Sequence, residues 1–188
     1  MAPIRAESLR AASQAFCDHV NRVLATTITQ TRLQVILSPD APRAQLAFRQ
    51  GGQPIPARLT TRFGLMGLYL GQVCTADRTP DGLHELRTVE YRYTVTPDGA
   101  AEPLLRWEYI RTPGPEDLWC RHHLQGPIHL EFPRDTVSLN DLHLPTGYVP
   151  FEDVLRFCIV DLGVRPLSED WDRILRESYA RFKTEFTE

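Results

Sequence analysis

The stretch from 87 to 110 constrains the fold most. Val89, Tyr91, Tyr93 and Val95 alternate with Thr88, Glu90, Arg92 and Thr94, and Pro97-Asp98-Gly99-Ala100 follows. Two-residue alternation ending in a Pro-Asp-Gly turn predicts a half-buried strand that enters a hairpin. The return segment offers Leu105, Trp107 and Tyr109 on one side and Arg106, Glu108 and Ile110 on the other. One register satisfies both faces. It sets Tyr93 opposite Trp107 and Tyr91 opposite Tyr109, with Arg92 opposite Glu108 and Thr94 opposite Arg106. A slip of one residue would turn every side chain to the wrong face. The aromatic face is expected to lie in the core, beneath helices that need a sheet to cover. Were that face open, the same rings could stack bases.

Helical periodicity frames this sheet. Leu9, Ala12, Phe16, Val20, Val23 and Leu24 recur at three- and four-residue steps, a single apolar face. The threonines at 26, 27, 29 and 31 are expected to end that helix. Leu33, Val35 and Leu37 then alternate up to Ser38-Pro39-Asp40, and Leu46 and Phe48 precede Gly51-Gly52. The segment from Phe63 to Cys74 carries Gly64, Gly67 and Gly71 among apolar residues and reads equally as helix or strand. No Lys-Ser/Thr follows these glycines, so they do not form a phosphate loop. Two short strands are expected around Leu118–Leu124 and Ile128–Phe132, paired with each other across Gly126-Pro127. A Pro-bounded loop should run from Pro133 to Pro150, with Asp135 and Asp141 as turn or capping residues.

Pro150, Glu152 and Asp153 suit a helix start. Val154, Leu155, Cys158, Ile159 and Leu162 follow, and Gly163 suits its end. Ser168 is expected to cap a last helix whose inner stripe is Trp171, Leu175, Tyr179, Phe182 and Phe186. The fold class is therefore α+β: a mainly antiparallel sheet packed by one N-terminal and two C-terminal helices. At 188 residues the chain fits a single domain, 1–188, with a core that needs no staple.

Charge and cysteine usage narrow the class. The net charge of −3 conceals a split: residues 1–63 carry +5 and the remainder −8. A basic front half suits nucleic acid or an acidic partner, and equally a surface neutralised by the rest of the fold. Of the 21 basic residues only Lys183 is lysine. A GC-rich coding bias accounts for that, and so do arginine forks that grip phosphate. Cys17, Cys74, Cys120 and Cys158 are scattered without a C-x-x-C, which suits buried thiols in a reducing cytoplasm. Residues 1–12 lack an apolar core, so no secretory leader is expected, and no apolar run approaches the ~20 residues of a membrane span. No membrane partner and no cofactor are expected.

His122-His123 is the sharpest local feature. In a strand the two point to opposite faces, Cys120 with His122 and Arg121 with His123. A metal site would add His129 or His143 to Cys120 and His122, but no zinc spacing supports it. Acid–base chemistry is more economical. Metal-free RNA cleavage needs a base for the 2′-hydroxyl, an acid for the leaving oxygen and a cation for the phosphorane charge. The polar hairpin face supplies Glu90, Arg92, Arg106 and Glu108, and the next strand could bring a histidine beside them. The Ser-His-Asp order, the G-x-S-x-G elbow and the dinucleotide fingerprint are absent from the sequence.

The run Arg92-Tyr93, the return strand Leu105-Arg106-Trp107 and the pair His122-His123 together resemble the TumE-like toxins of bacterial toxin–antitoxin systems. The likeness covers roughly residues 87–160. It implies a compact α+β ribonuclease in a toxin–antitoxin or defence role, with Arg106, His122 and His123 at the family's arginine and histidine positions. Here Leu124 and Gln125 follow the pair, where the family has further histidines.

The expected function is metal-independent endoribonuclease. His122 or His123 would be acid or base, Glu108 a base or histidine orienter, and Arg92, Arg106 and Arg121 the phosphate binders. RNA would be the substrate and an antitoxin the protein partner. The alternative is a non-enzymatic interaction module, an accessory subunit of a bacterial defence or regulatory complex. The acidic net charge favours it.

Overall fold

The computed structural model describes residues 4–112, 114, 121–133, 135–140 and 143–182. Among these, the chain runs β1 (Arg5–Ala6), α1 (Leu9–Thr27), β2 (Leu33–Leu37), β3 (Ala44–Gln50), β4 (Gln53–Pro54), β5 (Ala57–Thr61) and β6 (Gly64–Arg78). It continues with β7 (His84–Pro97), β8 (Leu105–Ile110), β9 (His122–Gln125), β10 (His129–Phe132), β11 (Asp135–Ser138) and β12 (Leu144–Pro145). Two helices close it, α2 (Phe151–Val160) and α3 (Trp171–Phe182). The architecture is α+β: a mainly antiparallel sheet with one N-terminal and two C-terminal helices. The main sheet runs β12-β9-β8-β7-β6-β3-β2, with β1 on β7, β4 on β3 and β5 on β6. No helix among the described residues is long and apolar enough to cross a membrane.

The β7–β8 hairpin forms in the expected register. Tyr93 pairs with Trp107, Tyr91 with Tyr109, Arg92 with Glu108 and Thr94 with Arg106. The aromatic face is core: Tyr91, Tyr93 and Tyr109 are buried, and Trp107 meets Phe157 of α2 edge-on at 5.6 Å. The alternation is broken once. The β6–β7 register passes from Val73–Glu90 to Cys74–Thr88, leaving Val89 as the extra residue of a bulge. An extra residue reverses the facing of everything before it. Thr88 is thus buried, bonded to Gln72, while Glu90 and Arg92 stay on the polar face.

Residues 64–78, undecided between helix and strand, form the long strand β6. Met66, Leu68, Leu70 and Cys74 bury on its inner face. Helix α1 starts at Leu9 under the Ser8 cap, whose hydroxyl accepts the Ala11 N–H at 3.1 Å. It runs through Thr26 and Thr27, whose hydroxyls donate to the Arg22 and Val23 carbonyls, and ends at Thr27. Asn21 on α1 reaches edge strand β2: Leu33 N–H donates to its Oδ1 at 2.7 Å, and its Nδ2 donates to the Leu33 carbonyl at 3.1 Å.

Three expectations need correction. The strands at 122–125 and 129–132 do not pair with each other: β9 joins β8 and β12, while β10 pairs with β11 in a separate hairpin. The loop expected from 133 to 150 contains β11 and β12. Within α3, Trp171, Ile174, Leu175 and Ser178 face inward and Tyr179 is exposed, and the Phe182 side chain lies outside the described residues. Smaller differences concern the helix ends. Pro150 is the N-cap of α2 rather than its first residue, and Gly163 lies beyond the Asp161 cap with φ of 72°. The Ser168 hydroxyl accepts from Asp170 N–H in the turn before α3. Asp135, expected in a turn or cap, opens strand β11, paired with Phe132, and its Oδ1 accepts the Thr136 N–H. Cys17, Cys74 and Cys158 are free and buried. Cys120, Asp141, residues 118–119 and Phe186 lie outside the described residues.

Candidate functional site

Because alternate residues of a strand share a face, the register of β7, β8 and β9 collects Arg92, Arg106, Glu108 and His123 on the face away from the helices. The register sets Glu108 between Arg92 and His123 on the flanking strands. Its Oε1 accepts from Arg92 Nε at 2.5 Å. Its Oε2 lies 3.0 Å from Arg106 Nε and 3.4 Å from His123 Nε2. Arg106 also donates to Gln125, whose amide donates to the Asn140 carbonyl at 3.3 Å. The cluster is graded in depth: the side chains of Arg92, Glu108 and His123 are 63%, 13% and 3% exposed. His123 is roofed by His143, their ring centroids 4.8 Å apart.

A groove of about 270 Å³ opens beside this cluster. Glu108 and Arg92 line it together with Glu90, Gln45 and Tyr69, and Gly71, Val73 and Ile110 are among the other lining residues. Gly71 leaves room for a ring. A Cβ there would stand 2.7 Å from Cε1 and 3.1 Å from the hydroxyl of Tyr69. The Tyr69 ring therefore occupies the space that a side chain at 71 would take. Glu90 is held loosely by Arg43 at 3.8 Å.

His122 faces the other way. Its ring stacks on Tyr109 at 4.3 Å, and its Nδ1 lies 3.1 Å from the Tyr91 hydroxyl. That hydroxyl also accepts the Val149 N–H at 3.1 Å. The Tyr91 hydroxyl thus links His122 Nδ1 to the Val149 N–H. Burial first, then the charges of Arg121 and His123, push the His122 pKa down.

Of the expected site residues, Arg92, Arg106, Glu108 and His123 meet. His122 lies on the helical face, because adjacent strand residues point oppositely. Arg121 is exposed before β9, where its carbonyl accepts the Ile110 N–H at 3.1 Å. Among the described residues, no three His, Cys, Asp or Glu side chains gather as a metal would require. His143 lies against His123, not His122. Sequence reading missed Tyr69, Gly71 and Gln45. Gly71 stood out only as one of three glycines in an apolar segment, and the Tyr69 ring beside it shows only once the β6 face is known.

A second polar group lies buried among the helices. His19 Nε2 of α1 is 2.9 Å from Ser178 Oγ of α3, which donates to Glu152 Oε1 of α2 at 2.6 Å. Burial, then the charges of Arg181 and Arg22, push the His19 pKa down to about 4. Burial pushes Glu152 up to about 7, opposed by the Ser178 hydrogen bond. With Ser178 3% exposed, this chain ties the three helices together and offers no access to a substrate. Compared with protein-family models, with curated proteins and with solved structures, the chain matches none.

Proposed function

We propose that this chain is a metal-independent endoribonuclease that works at the groove beside Glu108. The toxin–antitoxin or defence setting is the one the TumE-like resemblance implies. One observation carries the reading: the Glu108 carboxylate lines an open groove, flanked by the guanidiniums of Arg92 and Arg106 and backed by buried His123.

In this mechanism Glu108 takes the proton of the ribose 2′-hydroxyl. The 2′-oxygen forms a bond to phosphorus and the bond from phosphorus to O5′ breaks. O5′ takes a proton from water in the groove, and Glu108 returns its own proton to solvent. The products are a 2′,3′-cyclic phosphate and a 5′-hydroxyl. Arg92, the exposed cation, binds the phosphate oxygens as charge grows on them. Arg106 holds Glu108 in place and adds to the positive field. His123 is too deeply buried to meet substrate, so it acts as a positioning residue through Glu108.

Purified protein is incubated with mixed-sequence RNA, with and without chelator. Cleavage that survives the chelator, leaves cyclic phosphate ends and disappears in Glu108→Gln supports the reading. Activity lost in chelator, or retained in Glu108→Gln, overturns it.

The exposed Phe63 and Leu65 favour a protein-binding module as the second reading. Phe63 lies in the β5–β6 turn and Leu65 just after it in β6, and the Arg62 N–H ties this turn to the Leu162 carbonyl.

A further inference from the structure

The acid–base cluster leaves most of the groove unexplained. Glu108 and Arg92 line it, yet so do Gly71, Tyr69, Glu90 and Gln45. Its volume of about 270 Å³ falls just under the lower end of drug-sized pockets, roughly 300 Å³. That is the scale of one nucleoside, not of an extended strand.

The lining has a chemistry of its own. Tyr69 brings an aromatic ring, which occupies the space a side chain at Gly71 would take, and bases stack on aromatic rings whatever their identity. Glu90 brings a carboxylate with 43% of its side chain exposed, and Arg43 at 3.8 Å stands outside hydrogen-bond range. Its oxygens are acceptors only. Gln45 brings an amide that both donates and accepts. A carboxylate with two available oxygens matches a base edge that presents two adjacent donors. Guanine does so at N1–H and the 2-amino group. Adenine, cytosine and uracil each place an acceptor where the second donor would be. The remaining guanine acceptor, O6, suits an amide donor such as Gln45.

We propose that the groove over Gly71 is a guanine subsite: the base stacks on Tyr69, Glu90 accepts from N1–H and the 2-amino group, and Gln45 donates to O6. This rests on the ribonuclease reading. The guanosine ribose and its 3′-phosphate then fall at Glu108 and Arg92, so cleavage occurs on the 3′ side of guanosine. Glu90 is here a specificity residue, separate in role from Glu108.

The test maps cleavage ends on a mixed-sequence RNA with chelator present, beside calorimetric binding of 3′-GMP and 3′-AMP to the full chain. The expected result is cleavage after guanosine at least tenfold above other sites. Glu90→Gln should lower kcat/KM at those sites by on the order of 10- to 100-fold, the range of one bidentate base contact, mostly through KM. Tyr69→Leu should weaken 3′-GMP binding without creating a preference for another base. Cleavage without base preference, or a preference that Glu90→Gln leaves intact, overturns the subsite while the ribonuclease stands. If no RNA is cut, the ribonuclease reading fails by itself, and the nucleotides decide the subsite. Tenfold tighter 3′-GMP binding that Glu90→Gln removes supports it. Equal binding of the two nucleotides, or none, overturns it.

Discussion

Glu108 Oε2 sits 3.4 Å from Nε2 of His123, at the junction of an open groove and a closed interior. The carboxylate reaches solvent and the imidazole does not. That division gives the two residues different roles, although they come from adjacent strands and share one face.

Glu108→Gln keeps the shape and removes the charge. RNA cleavage is expected to fall by at least 100-fold, with the far-ultraviolet circular dichroism spectrum unchanged. His123→Asn should lower kcat and shift its pH profile while leaving KM within a few-fold, because it acts through the carboxylate. A His123 variant that changes KM alone would place the imidazole in substrate binding.

Arg92 and Arg106 should separate by salt dependence. Each phosphate contact to RNA contributes to the slope of log affinity against log salt, about 0.7 per contact for single strands. Arg92→Gln is expected to reduce that slope by about one contact with little loss of stability, since the side chain is mostly exposed. Arg106→Gln should cost stability as well, because Arg106 bridges Glu108 and Gln125. Equal slopes for wild type and Arg92→Gln in filter-binding titrations would remove Arg92 from the phosphate site.

His122 offers a control on the opposite face. Tyr91→Phe leaves the Val149 N–H and His122 Nδ1 without their shared hydroxyl. Unfolding in urea should show a loss of about 1–3 kcal/mol, the cost of buried unpaired groups. RNA cleavage by the folded variant should stay within a few-fold of wild type. His122→Leu should behave in the same way. A hundredfold loss of cleavage in folded His122→Leu would restore His122 to the chemistry.

The buried helix chain predicts a pH dependence of known sign. Glu152 rises from its ordinary 4.5 to about 7 on folding, so its contribution is full below 4.5 and is lost as pH rises through 7. His19 falls from 6.5 to about 4, so its contribution is present above 6.5 and is lost as pH falls through 4. The two slopes oppose each other between 4.5 and 6.5. Glu152→Gln removes the first and keeps an acceptor for Ser178. Its stability relative to wild type should therefore increase from pH 5 to pH 8 by roughly 1–3 kcal/mol, measured by urea unfolding at both values. A difference that stays constant with pH would show that Glu152 does not titrate across this window.

How much the sequence determined by itself follows from the range of the interactions. The β7–β8 register was legible because the turn and both faces lie within 24 residues and one pairing satisfies all of them. The separation of His122 from His123 was legible for the same reason, since strand alternation is a local property of the backbone. The helix at 9–24 and the helical C-terminus followed from periodicity. The Val89 bulge was not legible: whether Thr88 points inward depends on its pairing with β6, some 15 residues earlier. Nor was the partner of β9, because a strand of four residues carries too little pattern to choose between β8 and β10. Only the tertiary structure decided which face of the sheet is open. Helix α1 and Phe157 of α2 cover the aromatic side, with α3 packed on both helices; burial of Tyr91, Tyr93 and Trp107 is most favourable there, and the Arg92–Glu108–Arg106 side faces away from the helices. The groove arises there because Gly71 and Tyr69 of β6 are brought beside Arg92 of β7 and Glu108 of β8 by pairing across three strands, and no single segment holds that information.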